Sequence, residues 1–207
     1  MRKTLVLLAA LAASLLVVAA AVPAAPHQSV TISVSRPNVV YGGSVTLAGK
    51  VSDRKSGETV NVLAESNGAA SFNNLGSVTT TAGGNWTDVV KPTIETAYRA
   101  TWKSATSSTV TVKVRPLITL TLMNLSTGTF STKVTAARSF AGKFVLVQRL
   151  SSTGVTALKK VTLDANSSAT FRVRLHHGRS RLRVVMPTSQ TAPGYITGMS
   201  KVLTVSR

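Results

Sequence analysis

The densest set of side chains able to do chemistry in this 207-residue chain is a run of arginines. Residues 171–184 carry Arg172, Arg174, Arg179, Arg181 and Arg183 around the adjacent pair His176 and His177. A guanidinium stays charged at any ordinary pH and presents a planar fork of donors that matches phosphate, sulfate or carboxylate. Such a set holds anions; it does not transform them. The other reactive residue types are sparse. The six acids, Asp53, Glu58, Glu65, Asp88, Glu95 and Asp164, are too scattered for paired-carboxylate or two-metal chemistry. There is no cysteine, which removes thiolate zinc, a cysteine nucleophile, a disulfide scaffold and a lipid-modified cysteine anchor. Adjacent histidines point to opposite faces of a strand, and Asp164 is the one acid in their half of the chain, so His176 and His177 read as loop residues and not metal ligands. The many serines lack a base and an acid partner, and neither a G-x-S-x-G elbow nor a phosphate loop occurs. The expectation is a protein with no catalytic residues, no metal and no cofactor.

The elements that must position those arginines are strands. After Pro26 the chain breaks into short alternating runs rich in Val, Thr and Ser, and helical spacing is nearly absent. Runs are expected at 30–35, 45–50, 59–65, 75–81, 86–91, 97–103 and 108–115, separated by turn signals such as Tyr41–Gly43, Ser66–Gly68 and Ala82–Asn85. After Pro116 the pattern restarts, with runs at 117–123, 129–136, 143–150, 156–163, 169–175, 181–186 and 195–205. Gly57–Val62 parallels Gly142–Val147, and Val78–Ala82 parallels Val161–Ala165. The reading is all-β: two tandem antiparallel β-sandwiches, over 27–115 and 116–207, joined by a short stiff link at Pro116, whose ring fixes its own φ and removes a backbone donor.

Met1, Arg2 and Lys3 begin the chain with positive charge, Leu5–Ala21 follow without any charge, and small residues surround Ala21 and Ala24. That order is the pattern of a secretory signal peptide, read here as residues 1–25. The mature product is expected outside the cytoplasm, without a stable membrane anchor after cleavage. An extracellular protein with no disulfide points to a bacterial source.

The first sandwich resembles the immunoglobulin-like modules of secreted and surface proteins of actinobacteria. Ser44–Val51, Gly57–Leu63, Thr79–Trp86 and Thr93–Trp102 carry the resemblance: a glycine-containing second strand, a G-x-x-V start, a T-x-x-G-x-aromatic approach and a T-x-Y-R strand. The second sandwich shares Phe140–Val145 and Val161–Phe171 but lacks the Tyr-Arg element. The resemblance implies an immunoglobulin-like fold and a surface location, and modules of this kind serve as spacers, adhesion surfaces or accessory domains. It also implies a core role for Trp86, Tyr98 and Trp102, with the Tyr98 hydroxyl against nearby backbone in a tyrosine corner. Phe130, Phe144 and Phe171 are expected to do the same in the second sandwich, although Phe144 is out of phase with Val145 and Val147.

Charge divides the two halves. The chain carries +18 overall, but residues 27–115 hold nine Lys+Arg against five acids, whereas 116–207 hold thirteen against Asp164 alone. Strand alternation puts Phe171, Val173 and Leu175 on one face with Arg172 and Arg174 on the other, and sets Leu182 and Val184 against Arg181 and Arg183. If the two strands are neighbours in one sheet, the four guanidinium groups share a single surface. If they lie in opposite sheets, the arrangement the sequence favours, the four split onto two outer faces, with Arg179 and the histidines at the connecting end. The function expected is a secreted, non-enzymatic binding or adhesion module whose partner is an anionic cell-wall polymer, a glycan or a protein. Specific nucleic-acid recognition is not expected, because no aromatic residues interleave with the basic ones. The alternative is a passive structural spacer whose charge protects sheet edges and solubility.

Overall fold

The computed structural model describes residues 27–207; the signal-peptide reading over 1–25 lies outside them. Alternation of buried valines with exposed threonines and serines produces strands throughout, and these form four sheets stacked in two pairs. In the first pair, β1 (Ser33–Val34), β3 (Val45–Lys50) and β6 (Asn85–Val90) face a sheet ordered β2 (Asn38–Val40), β9 (Val110–Arg115), β7 (Thr96–Trp102), β4 (Thr59–Ser66) and β5 (Asn73–Thr79). The short β8 (Ala105–Thr106) also pairs with β7. In the second pair, β10 (Leu117–Asn124), β11 (Thr129–Thr135) and β14 (Ser168–Arg172) face β13 (Gly154–Thr162), β12 (Phe144–Ser151), β15 (Arg179–Met186) and β16 (Gly198–Met199), with β17 (Leu203–Ser206) on β15. These are two tandem immunoglobulin-like sandwiches, and no ladder joins a described strand before Pro116 to one after it. Among the described residues every ladder is antiparallel except β2 on β9, which is parallel.

The repeat is deeper than the sequence parallels indicated. β4 and β12 are both eight residues long, and each carries a bulge against its neighbour at the same point, after Val62 and after Val147. The residue entering the next equivalent strand has positive φ in both copies, Gly84 and Ser167. Its carbonyl accepts from Val51 in one copy and Val134 in the other. A buried serine then takes up a backbone N–H of the equivalent strand in each sandwich. Ser107 Oγ accepts from Ala100 N at 2.9 Å, and Ser200 Oγ accepts from Val184 N at 2.9 Å. Both serines also donate to the next carbonyl.

One core contact differs in an instructive way. In the first copy Gly49 lies opposite Trp86; in the second the equivalent pair is Thr132 and Ala169. A Cβ on Gly49 would stand 2.6 Å from the Trp86 ring and would overlap the Thr31 carbonyl oxygen. Thr132 instead uses its hydroxyl to donate to the Thr119 carbonyl at 2.7 Å. The large residue sits on opposite strands of the two ladders, and the small one accommodates it.

Trp86, Tyr98 and Trp102 are buried, as the sequence implied. Trp102 Nε1 donates to Glu58 Oε2 at 2.9 Å. Phe130 and Phe171 stack in the second core with centroids 6.1 Å apart. Phe144 is the exception: it lies half-buried on the outer face, with Lys160 Nζ 4.0 Å from its ring centroid. Its parity opposes that of Val145 and Val147, and pleating decided its side. The run expected at 195–205 is also broken, into β16 and β17, with a single-turn helix α1 (Thr188–Thr191) ahead of it.

Burial pushes the Tyr98 phenol up to about 12, with Thr96 opposing through a hydrogen bond and the Asp88 charge adding to the rise. The folded protein therefore binds this proton more tightly than the unfolded chain, so the stabilisation is complete below pH ~10 and is lost as pH rises towards 12. We expect the first sandwich to lose roughly 2–3 kcal/mol across that window. Urea titrations between pH 9 and 12 check this, and Tyr98→Phe should flatten the alkaline slope.

Candidate polyanion cleft of the second sandwich

A β-sandwich closes its top and bottom with loops but leaves two sides where edge strands of the facing sheets approach one another. In the second sandwich these sides are β13 against β14, and β10 against β17. The first side is basic. Arg172 projects outward from β14, since Phe171 and Val173 take the buried parity, and Arg174 follows just beyond the strand end. Across from them stand Lys159 on β13 and Arg149 on β12, and His176 completes a cleft of about 240 Å³.

Arg149 is in phase with the buried Val145 and Val147, so its side chain leaves the strand on the inner side and must reach the rim. There Nη2 donates to the Arg174 carbonyl at 2.9 Å, tying one sheet to the other, while Nε is buried with no partner among the described residues. No carboxylate neutralises this group. Asp164 accepts from the backbone N–H of Asn166 and Ser168 in the turn before β14, at 2.8 and 2.9 Å. Among the described residues the ion pairs are both in the first sandwich, Lys103 with Asp53 at 3.3 Å and with Glu58 at 3.2 Å. The cations of the second sandwich therefore act outward. Clefts lined by one sign of charge concentrate the field and attract counter-ions.

The five arginines of the 171–184 run divide between two surfaces. β14 and β15 belong to opposite sheets, so Arg172 and Arg174 lie at the cleft, whereas Arg179, Arg181 and Arg183 lie on the outer face of β15. Arg183 Nε donates to Gln148 Oε1 at 2.8 Å and is half-buried against it. Arg149 and Lys159 are the cleft residues that the arginine run did not include. A signal for Arg149 existed: it continues the inward parity of two valines, where a cation needs an outlet. Lys159 carried no such signal, because the bulge after Val147 sets its phase. His176 and His177 are exposed loop residues, and His176 is the one at the cleft.

At the junction the structure adds a segment, of which the sequence reading placed only the part from Tyr195 onward in a strand. From Val184 to its serine, Ser200, the second sandwich spends nine more residues than the first spends from Ala100 to Ser107. The extra segment contains α1 and folds back onto the first sandwich. Tyr195 Oη donates to the Thr93 carbonyl at 2.6 Å and accepts from Ala137 N at 3.0 Å. Glu95 N donates to the Gly194 carbonyl at 2.9 Å, Ile196 N to the Val114 carbonyl at 3.0 Å, and Arg115 Nη1 to the Thr197 carbonyl at 2.6 Å. The Arg138 guanidinium holds the segment from below through the carbonyls of Thr191 and Ala192, over the rings of Phe140 and Tyr195. The tyrosine hydroxyl anchored to main chain is thus that of Tyr195; among the described residues that of Tyr98 has no main-chain partner.

No protein-family model and no curated protein matches the sequence. Among solved structures, the chain is similar to a tetra-tandem repeat in the extending region of a large adhesion protein, at 14% identity and a TM-score of 0.37, covering 86% of this chain and 49% of that one. It is also similar to a mutant of Salmonella α2-macroglobulin, at 11% identity and a TM-score of 0.32, covering 84% of this chain and 16% of that one. The chain thus spans about half the length of the first and a smaller part of the second. The immunoglobulin-like architecture of this protein rests on its own strand order and internal repeat.

Proposed function

We propose that this is a secreted, non-enzymatic immunoglobulin-like module of a bacterial cell surface that binds anionic polymers through its second sandwich. The observation that carries the reading is the cleft between β13 and β14, where Arg149, Lys159, Arg172 and Arg174 converge with no carboxylate beside them. Two sheets supply these groups, so the arrangement depends on the fold and not on local charge density. Forked donors at the rim of a shallow cleft suit the repeated phosphates or sulfates of an extended polymer better than a small enclosed ligand. The outer-face arginines Arg179, Arg181 and Arg183 would extend the attraction without forming the seat. The division of the chain at Arg115 and Pro116, the surface location and the non-enzymatic character belong to the same proposal.

Binding to purified wall teichoic acid, heparin and a DNA duplex, each at several salt concentrations, tests it. Affinity should fall steeply with salt, with a log–log slope near −0.9 per phosphate neutralised in the duplex arm. Reversal of Lys159, Arg172 and Arg174 to glutamate should weaken the preferred polymer more than tenfold, and more than reversal of Arg179, Arg181 and Arg183 does. Equal effects would mean only diffuse attraction, and no effect from either set would remove the reading.

A second reading has its own observation. The hydrogen bonds through Gly194, Tyr195, Ile196 and Thr197 fix the two sandwiches in one orientation, as a rigid spacer requires. If charge reversal changes binding to none of the polymers, the spacer reading stands.

A further inference from the structure

The other open side of the second sandwich is apolar, and the first sandwich shows what such a side can accept. There, β2 lies parallel to β9 as an extra edge strand. Lys113 N donates to the Pro37 carbonyl and Tyr41 N donates to the Arg115 carbonyl, both at 2.8 Å, and Val39 is buried between the sheets. The chain reaches that position because Arg36 and Pro37 carry it across from β1 in one sheet to β2 in the other. In the second sandwich the corresponding strand, β10, does not cross over: it remains paired with β11 from Leu117 to Asn124. Among the described residues β17 consequently pairs on one side alone, with β15.

The pairing sets the phase of the free edge. Gly178 and Arg207 exchange both backbone bonds, so alternation along the ladder turns the N–H and C=O groups of Thr204 and Ser206 away from β15. Beside them runs a groove of about 390 Å³ between β10 and β17, lined by Leu117, Ile118, Leu120, Val202 and Leu203, with Lys201 at its rim. Leu120 and Leu122 face the core but remain half-buried, where the first sandwich has Val39 to cover the equivalent side.

We infer that the β17 edge and its groove form a strand-acceptor site, occupied by an extended acidic segment of another polypeptide that adds parallel to β17 as β2 adds to β9. Main-chain bonds to Thr204 and Ser206 would fix the register, and every second side chain would enter the groove. The chemistry of the occupant follows from charge. Residues 116–207 hold thirteen Lys+Arg against one acid, so a second copy of this sandwich brings like charge to the edge, whereas glutamate or aspartate on the solvent-facing positions of the added strand meets Lys201 and lies in the field of the β15 arginines one strand away. This site lies on the side of the sandwich opposite the polyanion cleft and stands independently of it.

The test uses the full chain and a capped heptapeptide of alternating glutamate and valine. Amide spectra should shift at Thr204 and Ser206, with slowed hydrogen exchange at both, and Thr204→Pro should weaken binding about tenfold because the proline removes an outward donor that β15 does not use. The same peptide with lysine for glutamate should bind worse, and a version with alternating prolines should not bind. Glutamine substitution of Lys159, Arg172 and Arg174 together should weaken the heptapeptide less than Lys201→Gln alone does, which separates this site from the cleft. Exchange protection in the unsubstituted protein decides the matter should Thr204→Pro unfold the domain. Absence of binding, shifts confined to 172–176, or a concentration-dependent dimer that protects Thr204 would overturn the inference.

Discussion

Trp86→Ala is expected to destabilise the first sandwich by about 3–5 kcal/mol, the cost of emptying a large aromatic site in a core that can only partly collapse. The ring is 1% exposed and lies over Gly49, whose missing side chain provides its space. The second sandwich contains a solution to the same vacancy, since its equivalent pair is Thr132 with Ala169. In the Trp86→Ala background Gly49→Thr escapes the ring but still overlaps the Thr31 carbonyl oxygen, so it should cost less there than in the unsubstituted protein without restoring stability. Gly49→Thr alone should be severely destabilising, because its Cβ would collide with both Trp86 and the Thr31 backbone. A double-mutant cycle by urea denaturation measures the coupling, which should be favourable and exceed about 1 kcal/mol for residues in direct contact. Additive losses would mean that the two ladders do not share the size-exchange logic.

The second large effect is expected at Tyr195. Tyr195→Ala removes a ring that is 3% exposed and packs edge-on against Phe140 with centroids 5.7 Å apart, so about 3–5 kcal/mol should be lost. It also removes the hydroxyl that bridges Ala137 and Thr93. Tyr195→Phe separates these roles: the ring remains, and the loss should fall to about 1–3 kcal/mol for the abandoned polar partners. Gly194→Val should act on the junction alone. Its Cβ would approach Ile94 Cδ1 to 2.5 Å, and the backbone there has φ +82°, which a branched side chain adopts only with strain. Rotational diffusion by NMR should show the two sandwiches tumbling as one body in the unsubstituted protein and more independently in Gly194→Val. Undiminished coupling in that variant would shift the stiffness to the Pro116 link.

Burial also raises the Tyr195 phenol, reinforced by Tyr41 and opposed by the Ala137 hydrogen bond and the Arg138 charge. The same sign follows as for Tyr98: the junction is secure at neutral pH and loosens in alkali, when the phenol can no longer donate to Thr93.

Alternation made most of the fold legible. Val45–Lys50, Thr59–Ser66 and Leu117–Asn124 fall within a residue of the runs read from sequence, because a strand with one wet face must repeat every second residue. The parity of Phe171, Val173 and Leu175 against Arg172 and Arg174 was fixed in the same way. The parallels of Val60 with Val145 and of Val78 with Val161 proved to be structural equivalences, since both pairs occupy the same rungs of their ladders. Short elements escaped: β2 has three residues and no alternation to read, and α1 is a single turn.

Composition alone settled that the second half would be strongly cationic and that cysteine chemistry was absent, for charge and residue type do not depend on conformation. Which cations meet was a different matter. That Arg172 and Arg174 join Arg149 and Lys159, while Arg179, Arg181 and Arg183 go elsewhere, depends on β14 and β15 entering opposite sheets and on a bulge setting the phase of β13. The same holds for the Tyr195 bridge, whose partners lie 58 and 102 positions away. Local periodicity specifies the direction of a side chain relative to its own strand; only the packing of distant strands determines what it faces.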